Sequence, residues 1–291
     1  MRTSAEATDK RSTFFSSADV SAASENQHGG IIQLEPANRL SLKLDFSADR
    51  IETATSHPHI QFFPLNYEQN YAYPLLVWLH GTGGDERQVM RIMPQLSMRN
   101  YVAVAPQGFV RTTPGGHKQF CRTGIPPENS LDVHTIISGA MRPKIQYDWF
   151  DDETGITEAE ERIFDCISLA KKRNNIADKR IFIAGFGSGG TAAMRLGLLY
   201  PECFAGIVSL CGRFPSGSGT INRWAAARNT AVYLGIPQQN DGLQRDACRG
   251  LELLHTAGIP ATIREYPCGQ ELVPQMFQDI NRWMMGLVCG G

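Results

Sequence analysis

From Tyr73-Pro74 onward the chain alternates short, predominantly apolar runs with segments whose apolar residues recur at helical spacing. The runs are Leu75–Leu79, Tyr101–Ala105, Ile181–Ala184, Phe204–Leu210, Ala231–Leu234 and Ala261–Tyr266. Strands covered on both faces read this way. Helices are predicted between and after them, at about 86–97, 157–173, 189–200, 243–257 and 272–287. In the second, Thr157 and Glu160 have capping-box spacing ahead of Ile163, Ile167 and Ala170. Strand–helix repetition implies an α/β architecture, a mostly parallel sheet with helices on both faces. Leu40, Leu42, Leu44 and Phe46 alternate with polar neighbours, so antiparallel strands are expected at the N-terminal edge.

Two stretches break the rhythm. Residues 1–30 are rich in Ser, Ala and Thr, hold few large apolar residues beyond Phe14 and Phe15, and end in Gly29-Gly30. They bury too little to offset their ordering entropy and are expected to be disordered. Residues 107–150 are rich in Pro, Gly and polar residues, an excursion over the C-terminal edge of the sheet, where ligands bind in such folds. No second core is evident, and one domain over 31–291 is expected. The full chain's 28 basic and 29 acidic residues give a net charge of −1, which offers no field to attract nucleic acid. No apolar run approaches the roughly 18 residues of a membrane span, and the first thirty residues lack the apolar segment of a secretory signal. A cytoplasmic chain without membrane insertion is therefore expected; its oligomeric state is not legible. Seven cysteines without a CxxC pair read as reduced thiols.

The most informative segment is Ile181-Phe-Ile-Ala-Gly-Phe-Gly-Ser-Gly-Gly190, a buried strand entering a helix through a turn built almost wholly of glycine. A nucleophile elbow, G-x-S-x-G, has this shape: a sharp turn lifts a hydroxyl above the sheet, and small residues two places either side let the chain pack closely. Aligned on Gly185 and Gly189, the apex is Gly187, with Ser188 one place late. The same residues also satisfy G-x-G-x-x-G, a dinucleotide fingerprint. That reading lacks the ribose-binding acid about 20 residues on, although Arg213 offers a partner for a 2′-phosphate.

In the order of its features the chain resembles the phospholipase/carboxylesterase branch of the α/β-hydrolases. The features are Leu75-Leu-Val-Trp-Leu-His-Gly-Thr-Gly-Gly-Asp85, Trp149-Phe150-Asp151, the elbow, Phe204–Gly212, and Tyr266-Pro-Cys-Gly-Gln-Glu271 before a closing helix. The resemblance implies the α/β-hydrolase fold and, if the chain is active, carboxylic-ester hydrolysis, without settling the activity. It also implies an oxyanion hole from the backbone N–H groups of Thr82 and Ser188. Against that pattern Gly187 stands where the nucleophile is expected, Asn240 where the acid is expected, with Asp241 one place later, and Gln270 where the base is expected. An amide has no useful proton affinity near neutral pH. Ser188 as nucleophile would need a shifted elbow with bulky Phe186 in a small-residue position; its plainer role is helix N-cap and oxyanion donor.

Three readings result. One is a hydrolase-fold protein with a degenerate triad that binds a small ester, acyl or carbonyl ligand with little or no turnover. Another is an active ester hydrolase using Ser188 with a relocated base, His117 or His80. The third is a dinucleotide-binding module. The first is preferred, with no cofactor and no metal. His80 otherwise reads as a packing residue of the His80-Gly81 turn, Cys211 and Cys268 as buried thiols, and His255 as a partly buried helix histidine. His57 and His59 lack further ligands at metal-site spacing.

Overall fold

The computed structural model of the chain describes residues 57–111, 145–150, 152–215 and 223–290. All of these fall in one compact unit, Ala48–Gly291. The expected segments 1–30 and Leu40–Phe46, and His117, lie outside the described residues.

The strands are β1 (His59–Phe62), β2 (Tyr73–Leu79), β3 (Val102–Pro106), β4 (Phe109–Arg111), β5 (Gln146–Asp148), β6 (Ile176–Phe186), β7 (Gly206–Leu210), β8 (Ala231–Pro237) and β9 (Ala261–Tyr266). Seven form one sheet in the order β1-β3-β2-β6-β7-β8-β9. β1 is antiparallel to β3 and the remaining pairs are parallel. β2, β3 and β7 are buried at every position, as expected for strands with helices on both faces. The helices are α1 (Gln88–Leu96), α2 (Glu153–Arg173), α3 (Ser188–Leu199), α4 (Trp224–Ala227), α5 (Asp241–Ala257) and α6 (Pro274–Cys289).

Alternation along the strands assigns each face its cover. Leu75, Val77, Leu79, Ile181, Ile183, Ile207, Val232 and Leu234 share one core with Ile163 and Ile167 of α2 and Met194 of α3. Trp78 points the other way, with its ring 6.4 Å from Phe277 of α6 and its indole N–H donating to Gln88 of α1 at 2.8 Å. Tyr233 meets Trp283 of α6 on that same face. This is the α/β-hydrolase arrangement expected from the sequence, antiparallel edge included.

The start of α2 differs from expectation. The helix begins at Glu153 because Asp152 caps it, accepting from the Gly155 N–H at 2.8 Å. Thr157 lies inside the first turns and donates to the Glu153 carbonyl, so Thr157 and Glu160 form no capping box. An Asp earlier in the chain takes the orphan first-turn donor and moves the start upstream. At the other end Lys171, Lys172 and Arg173 offset the helix dipole. Of the 107–150 excursion, the two described ends pair as an antiparallel ribbon, β4 with β5.

Candidate active site

The turn from β6 into α3 stands at the C-terminal end of the sheet. Its apex, Gly187, has φ 55° and ψ −120°, a conformation that strains any residue with a Cβ. Close packing holds it there: a Cβ on Gly189 would lie 2.3 Å from the Leu79 carbonyl oxygen, and one on Gly185 would lie 2.3 Å from that of Gly189. The two flanking glycines therefore seat α3 against the end of β2. The Gly187 N–H donates to the Leu210 carbonyl at 2.8 Å.

At the apex itself space is open. A Cβ there would have as its nearest neighbours the Gln270 amide nitrogen at 3.7 Å and Gly81 Cα at 3.9 Å. Gln270 is thus brought to face Gly187. Its loop is anchored from below by hydroxyls: Tyr233 and Tyr266 share a hydrogen bond of 2.6 Å, and Tyr266 donates to Asp279 of α6 at 3.2 Å. Beyond β9, Cys268 accepts from the Gln239 N–H.

Ser188 is the first residue of α3, not its cap; the cap position is Gly187 and no side chain bonds there. The expectation of a serine N-cap fails because the strained apex lies one residue earlier than a capping serine would need. As the opening residue, Ser188 has an N–H without a partner inside the helix, and that N–H lies at the positive end of the helix dipole. Its hydroxyl stands 3.1 Å from Thr82 Oγ1, which is also 3.0 Å from Asp148 Oδ1. A hydroxyl has one proton and a carboxylate only accepts. The Thr82 proton therefore goes to Asp148, and the Ser188 hydroxyl donates to Thr82. Asp148 further accepts the Trp149 N–H. Among the described residues this chain of bonds contains no imidazole.

His80 is tied up elsewhere. It is fully buried; Gly108 donates its N–H to Nε2 at 3.0 Å, so Nδ1 carries the proton and donates to the Gly81 carbonyl at 2.9 Å. Burial holds its pKa below the ordinary value, because the charged ring would lose its hydration. With both nitrogens engaged by backbone, His80 fixes the 80–84 turn and cannot reach Ser188. The Thr82 side chain of that turn is exposed.

Asn240 caps α5, accepting from the Leu243 N–H at 3.0 Å. Asp241 opens α5, is exposed, and does not line the cavity described next. Asp246, one turn further, does line it and accepts the Phe214 N–H at 2.6 Å. The cavity encloses about 730 Å³ and brings together Thr82, Gly187, Ser188, Asn240 and Gln270. Its apolar wall includes Phe150, Ile156, Leu196 and Phe214. Asp148, Arg195 and Asp246 also line it and were missed in the sequence, where only the adjacency of Asp148 to Trp149-Phe150 hinted at the first. Cys211 lines it too; burial pushes its thiol up to about 12 and raises that of Cys268, so neither supplies thiolate near neutral pH. His255 is exposed in the last turn of α5; the expected partial burial fails because Leu254, one position away, takes the inward face. Among the described residues no group of three or more His, Cys, Asp or Glu is arranged to hold a metal, and no helix is long and apolar enough to cross a membrane.

Residues 144–283 match the family described as phospholipase/carboxylesterase. Several solved structures are similar in fold. SOBER1 of Arabidopsis thaliana is 18% identical, with 75% of this chain and 100% of that chain covered and a TM-score of 0.54. A Bacillus cereus carboxylesterase is 15% identical, with 79% and 93% covered and a TM-score of 0.56. YahD, solved with malic acid, is 17% identical, with 79% and 98% covered and a TM-score of 0.52. The chain thus has the α/β-hydrolase fold and, from residue 144 to residue 283, carries the sequence pattern of the phospholipase/carboxylesterase family.

Proposed function

We propose that this chain is a carboxylesterase-like protein whose triad is degenerate, and that it binds a small acyl or carbonyl ligand in the cavity beside Gly187 with little or no turnover. The observation that carries the reading is the pairing at the apex. Where an elbow would present a hydroxyl to a histidine, a glycine without a side chain faces the amide of Gln270 at 3.7 Å from its would-be Cβ. Asn240 in place of an acid completes the set. The backbone N–H groups of Thr82 and Ser188, offered as an oxyanion hole, do not depend on any of the three side chains. They would still polarise a carbonyl oxygen. In a serine protease, loss of nucleophile or base lowers kcat by about 10⁶ and leaves roughly 10³–10⁴ over water from the hole and binding. A site of this kind holds ligands better than it converts them. YahD, similar in fold, was solved with malic acid, a small acid in keeping with such a cavity.

The competing assignment, Ser188 as nucleophile, is disfavoured by its hydroxyl partner, Thr82. The dinucleotide reading is disfavoured because the Gly187 N–H, which a pyrophosphate would need, is spent on Leu210. Labelling with a fluorophosphonate probe, alongside turnover of p-nitrophenyl esters, tests the proposal. The expected outcome is no stoichiometric adduct and no turnover above a Ser188→Ala control. An adduct on Ser188, lost in that control, overturns it.

A further inference from the structure

Resting on that reading, the geometry points to a carboxylate as the ligand group: we infer that the cavity takes the free acid of an acyl chain in preference to its ester. In an acting hydrolase the space at the apex is filled by a hydroxymethyl group that becomes bonded to the acyl carbon. Here that volume is open, and a donor borders it. The Gln270 amide nitrogen stands 3.7 Å from the position a Cβ would take, so an atom seated slightly further out is within its hydrogen-bonding reach.

A carboxylate has two oxygens for two sets of donors. One occupies the position of an oxyanion, at the N–H of Ser188 and the opening turn of α3. The other fills the space above Gly187 and accepts from Gln270, whose amide turns its nitrogen toward an anion. An ester presents the second position with an alkylated oxygen, a poorer acceptor that carries no charge for Gln270 or the opening turn of α3 to meet.

The cavity is lined by charges of both signs, and they differ in what they leave for a ligand. Asp148 and Asp246 are each satisfied by donors from the protein: Thr82 and the Trp149 N–H for the first, the Phe214 N–H for the second. Arg195 is buried and partnered. Arg213 is exposed at the cavity; its backbone N–H donates to Thr191, and among the described residues its guanidinium meets no carboxylate. It is the cation left to favour an anionic head over a neutral one. Phe150, Ile156, Leu196 and Phe214 then receive the apolar chain.

Calorimetric titration of the full chain with octanoate, methyl octanoate and octanamide tests this, with unreacted ester measured in parallel. Octanoate is expected to bind at least about tenfold more tightly than either neutral analogue, with affinity falling as salt rises. Arg213→Gln is expected to weaken octanoate about fivefold and leave methyl octanoate unchanged, and Gln270→Glu to weaken octanoate more than about tenfold by placing like charge beside it. Equal affinity for acid and ester, no saturable octanoate binding at millimolar concentration, or indifference to both substitutions overturns the inference. Hydrolysis of methyl octanoate would instead defeat the proposed lack of turnover, and the octanoate arm still reads the carboxylate preference on its own.

Discussion

The Ser188 hydroxyl lies 3.1 Å from the Thr82 hydroxyl, and so the nucleophilic side chain that follows the apex in sequence is committed to a neighbour from the turn after β2. The bond spans 106 residues of sequence and joins the two segments whose backbone donors form the proposed oxyanion hole. Thr82→Val and Ser188→Ala are each expected to lower stability by about 0.5–1 kcal/mol, since the bonds are exposed and water replaces them. The paired substitution is expected to cost less than the sum. Denaturant unfolding of the two single variants and the double variant measures that coupling, and strict additivity would show that the contact is not held in solution.

Restoring the missing groups separates a lost triad from a lost site. Gly187→Ser alone is expected to destabilise by about 1–2 kcal/mol, because a Cβ at φ 55° is strained, and to add no esterase activity. Gly187→Ser with Gln270→His supplies nucleophile and base. Adding Asn240→Asp supplies the group that orients the base, and the helix cap is kept because Asp serves at that position as well as Asn. An amide in place of the triad acid costs about 10⁴ in kcat in a serine protease. The triple variant is therefore expected to exceed the double by orders of magnitude in p-nitrophenyl butyrate turnover. Equal rates in the two would mean that residue 240 does not reach an imidazole at 270.

The fold was legible because it rests on patterns that survive without partners. The continuous apolar runs at Leu75–Leu79 and Tyr101–Ala105 require burial on both faces wherever they are placed. The glycines at 185, 187 and 189 encode a close approach that larger side chains forbid. What could not be read was anything that depends on which of two polar groups wins a donor. Asp152 and Thr157 both qualify as caps in sequence, and only the entry path of the chain into α2 selects Asp152. His80 looked the same as a packing residue and as a relocated base until both its nitrogens were seen to meet backbone. Asp148 and Asp246 reach the cavity from segments about 100 residues apart in sequence.

Two glycines of the chain predict opposite outcomes for the same substitution. Gly189→Ala places a Cβ 2.3 Å from the Leu79 carbonyl oxygen and 2.4 Å from that of His80. Both are backbone atoms of a central strand and its turn, which cannot move without tearing the sheet. A loss of more than about 3 kcal/mol is expected, at the upper end for single substitutions. Gly286 in α6 has no atom within 4 Å of its would-be Cβ. There Gly286→Ala is expected to stabilise by about 0.5–1 kcal/mol through helix propensity alone. Thermal and urea unfolding of the two variants decides both.

His80 also makes the stability of the chain depend on pH. Its folded-state pKa is held below the ordinary 6.5 by burial, so the unfolded chain binds a proton that the folded chain refuses. The contribution of the neutral ring is complete above about pH 6.5 and is lost as the pH falls below it, at a slope of up to about 1.4 kcal/mol per pH unit until the folded value is reached. Protonation would turn Nε2 from an acceptor into a donor facing the Gly108 N–H, which breaks that bond as well. His80→Gln is expected to be less stable than the parent at pH 7.5 but to lose less on going from pH 6.5 to 5. Unfolding free energies of both proteins across that range would show converging curves; parallel curves would mean that His80 is not the group that titrates.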